Sequence, residues 1–223
     1  MAVFNSYNAA TLGWHTGFLA EAGLVAFGFT NAPPAIAPIG GKVPVIGTNP
    51  LSFAVPGKRR STAFLIDQSS SVVAKSAVMK AASEGKRIPP GWALDTEGRP
   101  TEDSKAALDG SMAPTGGYRG FGQGLIVEVM SAALSGALLG TEMASFIHND
   151  GRPVDCGQFF IAIDPRKFSG GLFHKRIAIL TESITSQAGA RLPNAKRTAS
   201  KKRLTKEGVT LSTDLYEKIK SYC

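Results

Sequence analysis

"NAPPAIAPIGGKVPVIGTNPLSFAVP", residues 31–56, carries a single charge, Lys42, and is crowded with Pro and Gly. Proline fixes φ, and glycine admits turns that other residues resist, so the stretch reads as a surface loop held in one shape. "GTNP" (47–50) is a turn signal, and the apolar "LSFAV" (51–55) behind it reads as a strand. Working outward, "LVAFGF" (24–29) has the β-branched and aromatic content of a buried strand, and "AFLI" (63–66) follows the basic turn "GKRR" (57–60) as another. "GQFFIAID" (157–164) is a further strand.

Helical patterns separate these runs. "AATLGWHTGFLAEAGL" (9–24) places Leu12, Phe18 and Leu19 on one side, with Gly23 past its end. "SVVAKSAVMKAASEGK" (71–86) is predicted as a helix capped by Ser71, and residues 87–104 as mostly loop. "FGQGLIVEVMSAALSGALLG" (121–140) is apolar all round, which predicts a long buried helix. Residues 172–187 and 215–222 read as two more, the last with Thr213 and Asp214 at its start. The pattern is mixed α and β without the regular alternation of a doubly wound sheet.

Composition sets limits. The chain has 223 residues, 43% hydrophobic and 19% charged, which is a globular balance. Its net charge of +8 favours anionic partners. Two cysteines, Cys156 and Cys223, make no disulfide framework, and no Cys/His set has zinc spacing. The longest apolar run, 125–139, is interrupted by Glu128 and is too short to span a bilayer; the start lacks an export signal, so the expected location is the cytoplasm.

Several constellations admit two readings from the residues alone. "TGGYRGFGQG" (115–124) is either a phosphate seat at a helix start, reinforced by Arg119, or a tight turn into a buried helix. Asp67 and the hydroxyls of "IDQSSS" (66–71) either hold a ligand or cap the next helix. His15, His148 and His174 stand in no nucleophile or metal motif. From Arg191 to Lys206 seven residues are basic and none acidic, a run read as a solvated helix face; it lacks the interleaved aromatics of a nucleic-acid site, and no nucleic-acid partner is expected. Within it, "RLPNAKR" (191–197) presents its cations from a shaped Pro-Asn turn, suited to a phosphate or carboxylate.

Taken together, "NSYNAATLG", "APIGG" followed by "GTNP", "IPPGWALDTEGRPTED", "GGYRGFG" and "RLPNAKR" resemble the malate/L-lactate dehydrogenase-like NAD(P)-dependent oxidoreductases, over nearly the whole chain. That group includes ureidoglycolate and sulfolactate dehydrogenases and reductases of cyclic imino acids. The resemblance implies an α+β, non-Rossmann cofactor domain with a largely antiparallel sheet over residues 1–188. It also implies that 189–223 contribute to a helical domain. The implied reaction passes hydride between NADP or NAD and a small 2-oxo, 2-hydroxy or cyclic imino acid. By the same resemblance, Thr48, Lys75 and Ser76 face the substrate. Asn8, Ala9, Ala10, Thr11, Leu12, Asp67, Gln68, Ser69, Tyr118 and Arg119 would contact the cofactor, as would Arg191, Leu192, Pro193, Asn194, Ala195, Lys196 and Arg197. Family members are usually homodimers. Their catalytic Ser-His pair lies upstream of the segment matching "NSYNAATLG", so no residue of this chain is expected to match it. The chain is then expected to turn over weakly or not at all, as a truncated cofactor-binding fragment or as a subunit that pairs with a complete homologue.

Overall fold

The structure, a computed structural model, describes residues 1–146 and 153–222. Its centre is a five-stranded sheet in the order β1-β8-β2-β3-β4, with every neighbouring pair antiparallel. The strands are β1 (Ala2–Ser6), β2 (Val25–Thr30), β3 (Leu51–Pro56), β4 (Thr62–Gln68) and β8 (Cys156–Ile163). A small second sheet joins three two-residue strands, β5 (Ala93–Leu94), β6 (Pro100–Thr101) and β7 (Ser111–Met112). The helices are α1 (Leu12–Glu21), α2 (Lys75–Ser83), α3 (Ser104–Asp109), α4 (Tyr118–Glu128), α5 (Phe173–Thr185), α6 (Ala195–Glu207) and α7 (Thr213–Lys220). The mixed α+β class is as the sequence predicts, and the antiparallel, non-Rossmann sheet is as the family resemblance implies.

Helix α1 lies against β2, β3 and β4 because the contact is built from small residues. A Cβ on Gly13 would stand 2.7 Å from Leu65 Cδ2, and one on Gly28 2.9 Å from Thr16 Cγ2. Thr16 and Ser52 seal that contact, their buried hydroxyls 2.6 Å apart. On the other face, Gly157 of β8 lets the sheet meet the Ser131 carbonyl, in the π-helical turn Val129–Ala133 that extends α4.

Three expectations are corrected. The segment 31–56 is not simply a surface loop: Ile36 bridges Ile46, and both are buried with Ala35, Val78, Ile88, Ala93, Ala107 and Met112 in the core between α2, α3 and the small sheet. Its lack of charge is therefore partly a core requirement. The long buried helix over 121–140 ends as an α-helix at Glu128, and Leu125, Ile126, Val129 and Leu134 are 43–58% exposed, so only one edge of it packs. Ser71 does not cap α2, which begins at Lys75 after an extended Ala74. Ser71 is instead buried, bonding the Ser69 hydroxyl and the Val73 carbonyl and bridging Pro114. Three features had no sequence expectation: β1, α3, and the small sheet, whose β5 and β6 lie inside the predicted loop and whose β7 lies beyond it.

After Pro165 no described residue is buried, so α5, α6 and α7 are satellites of the core.

Candidate active site

The site is organised by the turn that leaves β4. Gln68 ends the strand, and Ser69 and Ser70 follow it onto the GTNP segment. The Thr48 carbonyl accepts from the Ser70 amide at 2.8 Å and from the Ser69 hydroxyl at 3.0 Å. Ser70 Oγ donates to the Asn49 carbonyl at 2.9 Å. Thr48 is thereby fixed through its backbone, and its hydroxyl has no partner among the described residues.

Asn49 anchors this segment from below. It is fully buried, with φ of 38°. Its amide nitrogen donates to the Gly124 carbonyl (3.0 Å) and to Glu128 Oε2 (2.7 Å), and its amide oxygen accepts from Ala32 N–H (3.3 Å). Glu128, also buried, accepts from the Gly140 amide at 2.6 Å. One carboxylate thus ties the GTNP turn to α4 and to the turn at residue 140. Neither Asn49 nor Glu128 was a candidate on sequence; the Asn of "GTNP" was the available signal.

Two clefts flank the β4 turn. The first, about 560 Å³, is lined by Asn8, Ala9, Ala10, Thr48, Ser69, Lys75 and Ser76, with apolar walls from Pro33, Pro50, Met79 and Phe146. The substrate-facing residues expected from sequence therefore meet there, joined by the first part of the 8–12 segment. Asn8 Oδ1 closes its loop by accepting from the Ala10 amide at 2.6 Å. Lys75 opens α2, and partial burial holds its pKa below the usual lysine value. Tyr7 and Phe146, unflagged by the sequence, also line this cleft, their rings edge to face at 5.4 Å.

The second cleft, about 450 Å³, is formed by Asp67, Gln68 and the whole of 191–197. Asp67 Oδ2 accepts from the Gly13 amide at 2.9 Å, capping α1 rather than the next helix, and pairs with Arg197 at 3.2 Å. Arg191 and Lys196 have no carboxylate partner among the described residues, so this cleft has a surplus of positive charge.

Other candidates lie apart from both. Leu12 is buried at 1% exposure under the sheet, so its side chain is core, and Thr11 is the residue before α1. Tyr118 and Arg119 start α4 in the open, the guanidinium 5.6 Å from the Tyr118 ring. They adjoin the β4 turn through the Thr115 amide on the Ser70 carbonyl and the Gln68–Gln123 bond. A Cβ on Gly120 would stand 2.8 Å from the Ser70 carbonyl oxygen, and one on Gly124 2.6 Å from Ile46 Cδ1, so these glycines serve close packing. His15 bonds the Ala9 carbonyl and lies tilted against Phe160 with ring centroids 5.8 Å apart, His174 lies beside the β3–β4 turn, and His148 falls outside the described residues.

The sequence and the fold are those of a known class. A family model for malate/L-lactate dehydrogenase matches residues 1–220, and the chain belongs to that family. Over 222 residues it is 40% identical to a (2R)-3-sulfolactate dehydrogenase (NADP(+)) of Chromohalobacter salexigens, covering 100% of this chain and 66% of that protein. It is 36% identical to a Delta(1)-pyrroline-2-carboxylate reductase of Burkholderia ambifaria, over 98% of this chain and 65% of the relative. Among solved structures, the delta1-piperideine-2-carboxylate reductase of Pseudomonas syringae superposes with a TM-score of 0.89 at 29% identity, over 100% of this chain and 68% of that one. The chain thus spans about two thirds of its relatives' length.

The residues present fit a dinucleotide. Unpaired cations in the second cleft suit its phosphates, and the apolar walls of the first suit a flat ring beside a small polar molecule. No helix of the described residues is long and apolar enough to cross a membrane.

Proposed function

We propose that this chain binds NADP or NAD and serves oxidoreduction of a small 2-oxo or 2-hydroxy acid or cyclic imino acid. The observation that supports this most directly is the β4 turn: adjacent residues, Gln68 and Ser69, line the cation-rich cleft and the Thr48–Lys75 cleft respectively. One extended ligand can therefore engage both. When bound, the dinucleotide supplies or takes up hydride. Arg191, Lys196 and Arg197 hold its phosphates; Asn8 to Ala10 and Ser69 shape the ring's seat; Thr48 Oγ1 and Lys75 orient the acid. Residues 1–188 act on this reading as the cofactor-binding unit and 189–223 as part of a helical unit, in a cytoplasmic homodimer or in a pair with a longer homologue. The exposed apolar residues of the last helix, Leu215 and Ile219, support a covering partner.

Fluorescence titration of the chain with NADPH and NADH tests this. Saturable binding is expected, weakened about tenfold by Arg197→Ala, as for the loss of one charge-assisted hydrogen bond. A folded chain that binds neither nucleotide refutes it.

A further inference from the structure

The 450 Å³ cleft beside Asp67 is built by a turn of fixed shape. Pro193 holds its φ, and Asn194 stands in the left-handed region at φ of 68°. The Ala195 amide donates to the Leu192 carbonyl at 3.2 Å, and the Thr198 amide to the Asn194 carbonyl at 3.0 Å. The turn brings Arg191, before it, and Lys196 and Arg197, after it, to one cleft. Asp67 is the one carboxylate among the described lining residues, and its charge is already matched. Its Oδ2 accepts from the Gly13 amide at 2.9 Å and pairs with Arg197 at 3.2 Å, with 14% of the side chain exposed. Arg197 thus answers Asp67, and the charges of Arg191 and Lys196 are left over.

We infer that Arg191 and Lys196 seat the 2′-phosphate of the dinucleotide, so that the chain takes NADP(H) in preference to NAD(H). This rests on the dinucleotide reading above and narrows it. An unpaired carboxylate beside the adenosine ribose accepts from the 2′-hydroxyl and repels a 2′-phosphate, which selects NAD, whereas an arginine at that place reverses the choice. Here the carboxylate comes with its arginine, so Asp67 does not exclude the phosphate. Position along the ligand decides which anion the left-over charge meets. With the nicotinamide in the Thr48–Lys75 cleft, the diphosphate spans the β4 turn, beside which Arg119 opens α4, and the adenosine half enters the second cleft. Adenosine itself brings no charge there. A 2′-phosphate brings about −1.5 to −2, as phosphate monoesters do near neutral pH, and both cations then gain a charge-assisted partner.

The test is a fluorescence titration of the full chain with NADPH and with NADH at one ionic strength. Calorimetry with adenosine 2′,5′-bisphosphate and adenosine 5′-monophosphate, which differ only in the 2′-phosphate, isolates the second cleft. NADPH is expected to bind about 30-fold tighter than NADH, and the bisphosphate to exceed the monophosphate by a similar factor. In the double variant Arg191→Gln/Lys196→Gln the NADPH preference should shrink to within about threefold. Both side chains are exposed, so the variant keeps the fold. The assignment is overturned if the wild-type chain binds the two nucleotides with affinities within about threefold of each other. It is equally overturned if the double variant keeps the wild-type preference, which would put the 2′-phosphate on other residues. The two levels separate cleanly: a folded chain that binds neither nucleotide sinks the functional reading itself, whereas one that binds both equally sinks the 2′-phosphate seat alone.

Discussion

Asn49 and Glu128 meet at 2.7 Å in the interior, 79 positions apart in the chain. Replacing Asn49 with Ala removes three hydrogen bonds and leaves Glu128 Oε2 and the Gly124 carbonyl without that donor. The expected cost is about 2–3 kcal/mol, a fall in Tm of roughly 5–10 °C for a chain of this size, measurable by chemical and thermal denaturation. An unchanged Tm would mean that the GTNP turn is held by Ser70 and Pro50 without it. At this scale the sequence was legible where a residue's role depends on its neighbours, and silent where it depends on distant ones. Gly47 and Pro50 could be read as fixing a turn; the partner of Asn49 could not, because Glu128 presented itself only as an interruption in an apolar run. Asp67 shows the same limit: its position at a strand end was readable, but the helix it caps precedes it by more than fifty residues.

The elements follow local pattern wherever the pattern is long. Four central strands fall where aromatic and β-branched runs place them, and the 9–24 and 172–187 helices differ from expectation only at their ends. The two-residue strands of the small sheet are too short to carry a period, and β1 depends on pairing with β8 rather than on its own composition. Helix α4 is shorter than the sequence predicts because its apolar run is buried along one edge alone; its outer face is left in the open, and the π-helical turn changes its phase against the sheet. The inner edge of α4 is the tight one. Gly120→Ala would drive a Cβ toward the Ser70 and Thr115 carbonyl oxygens, which are backbone and cannot rotate away. A loss of about 1–3 kcal/mol is expected, together with weaker NADPH binding because Ser70 carries the β4 turn. Gly122→Ala, where a Cβ meets no heavy atom within 4 Å, is the control and should stabilise or leave the chain unchanged. Equal losses for both variants would show that helix packing does not set the turn.

At the scale of the molecule, the buried residues are shared between the large sheet and the core under α2 and α3, and none of those described lies beyond Pro165. Cys156 on β8 is 1% exposed, and burial, helped by Asp155 and Glu128, pushes its thiol up to about 12. The sign follows from linkage: folding favours the neutral thiol, so this contribution is complete below the usual value of 9.0 and is lost as pH rises from there through about 12. In a Cys223→Ser chain at pH 8, a thiol reagent should label Cys156 only as fast as the sheet opens, and at once in denaturant; rapid labelling of the folded chain would contradict the burial. Hydrogen exchange should separate the same two regions, with amides of α5, α6 and α7 exchanging well before those of β2 and β8.

The sheet order also bears on how the chain is made. Strand β1 emerges from the ribosome before the other strands of its sheet, yet its partner, β8, follows about 150 residues later, with Ala2 facing Phe159. At usual synthesis rates that is a wait of roughly 10–30 s. Strands β2, β3 and β4 can zip into a meander during it, but β2 offers one unpaired edge until β8 arrives to fill the gap on both sides. The nascent chain therefore spends its longest interval with an aromatic-rich strand open to other chains, and it is at this stage that a holding chaperone would have most to protect.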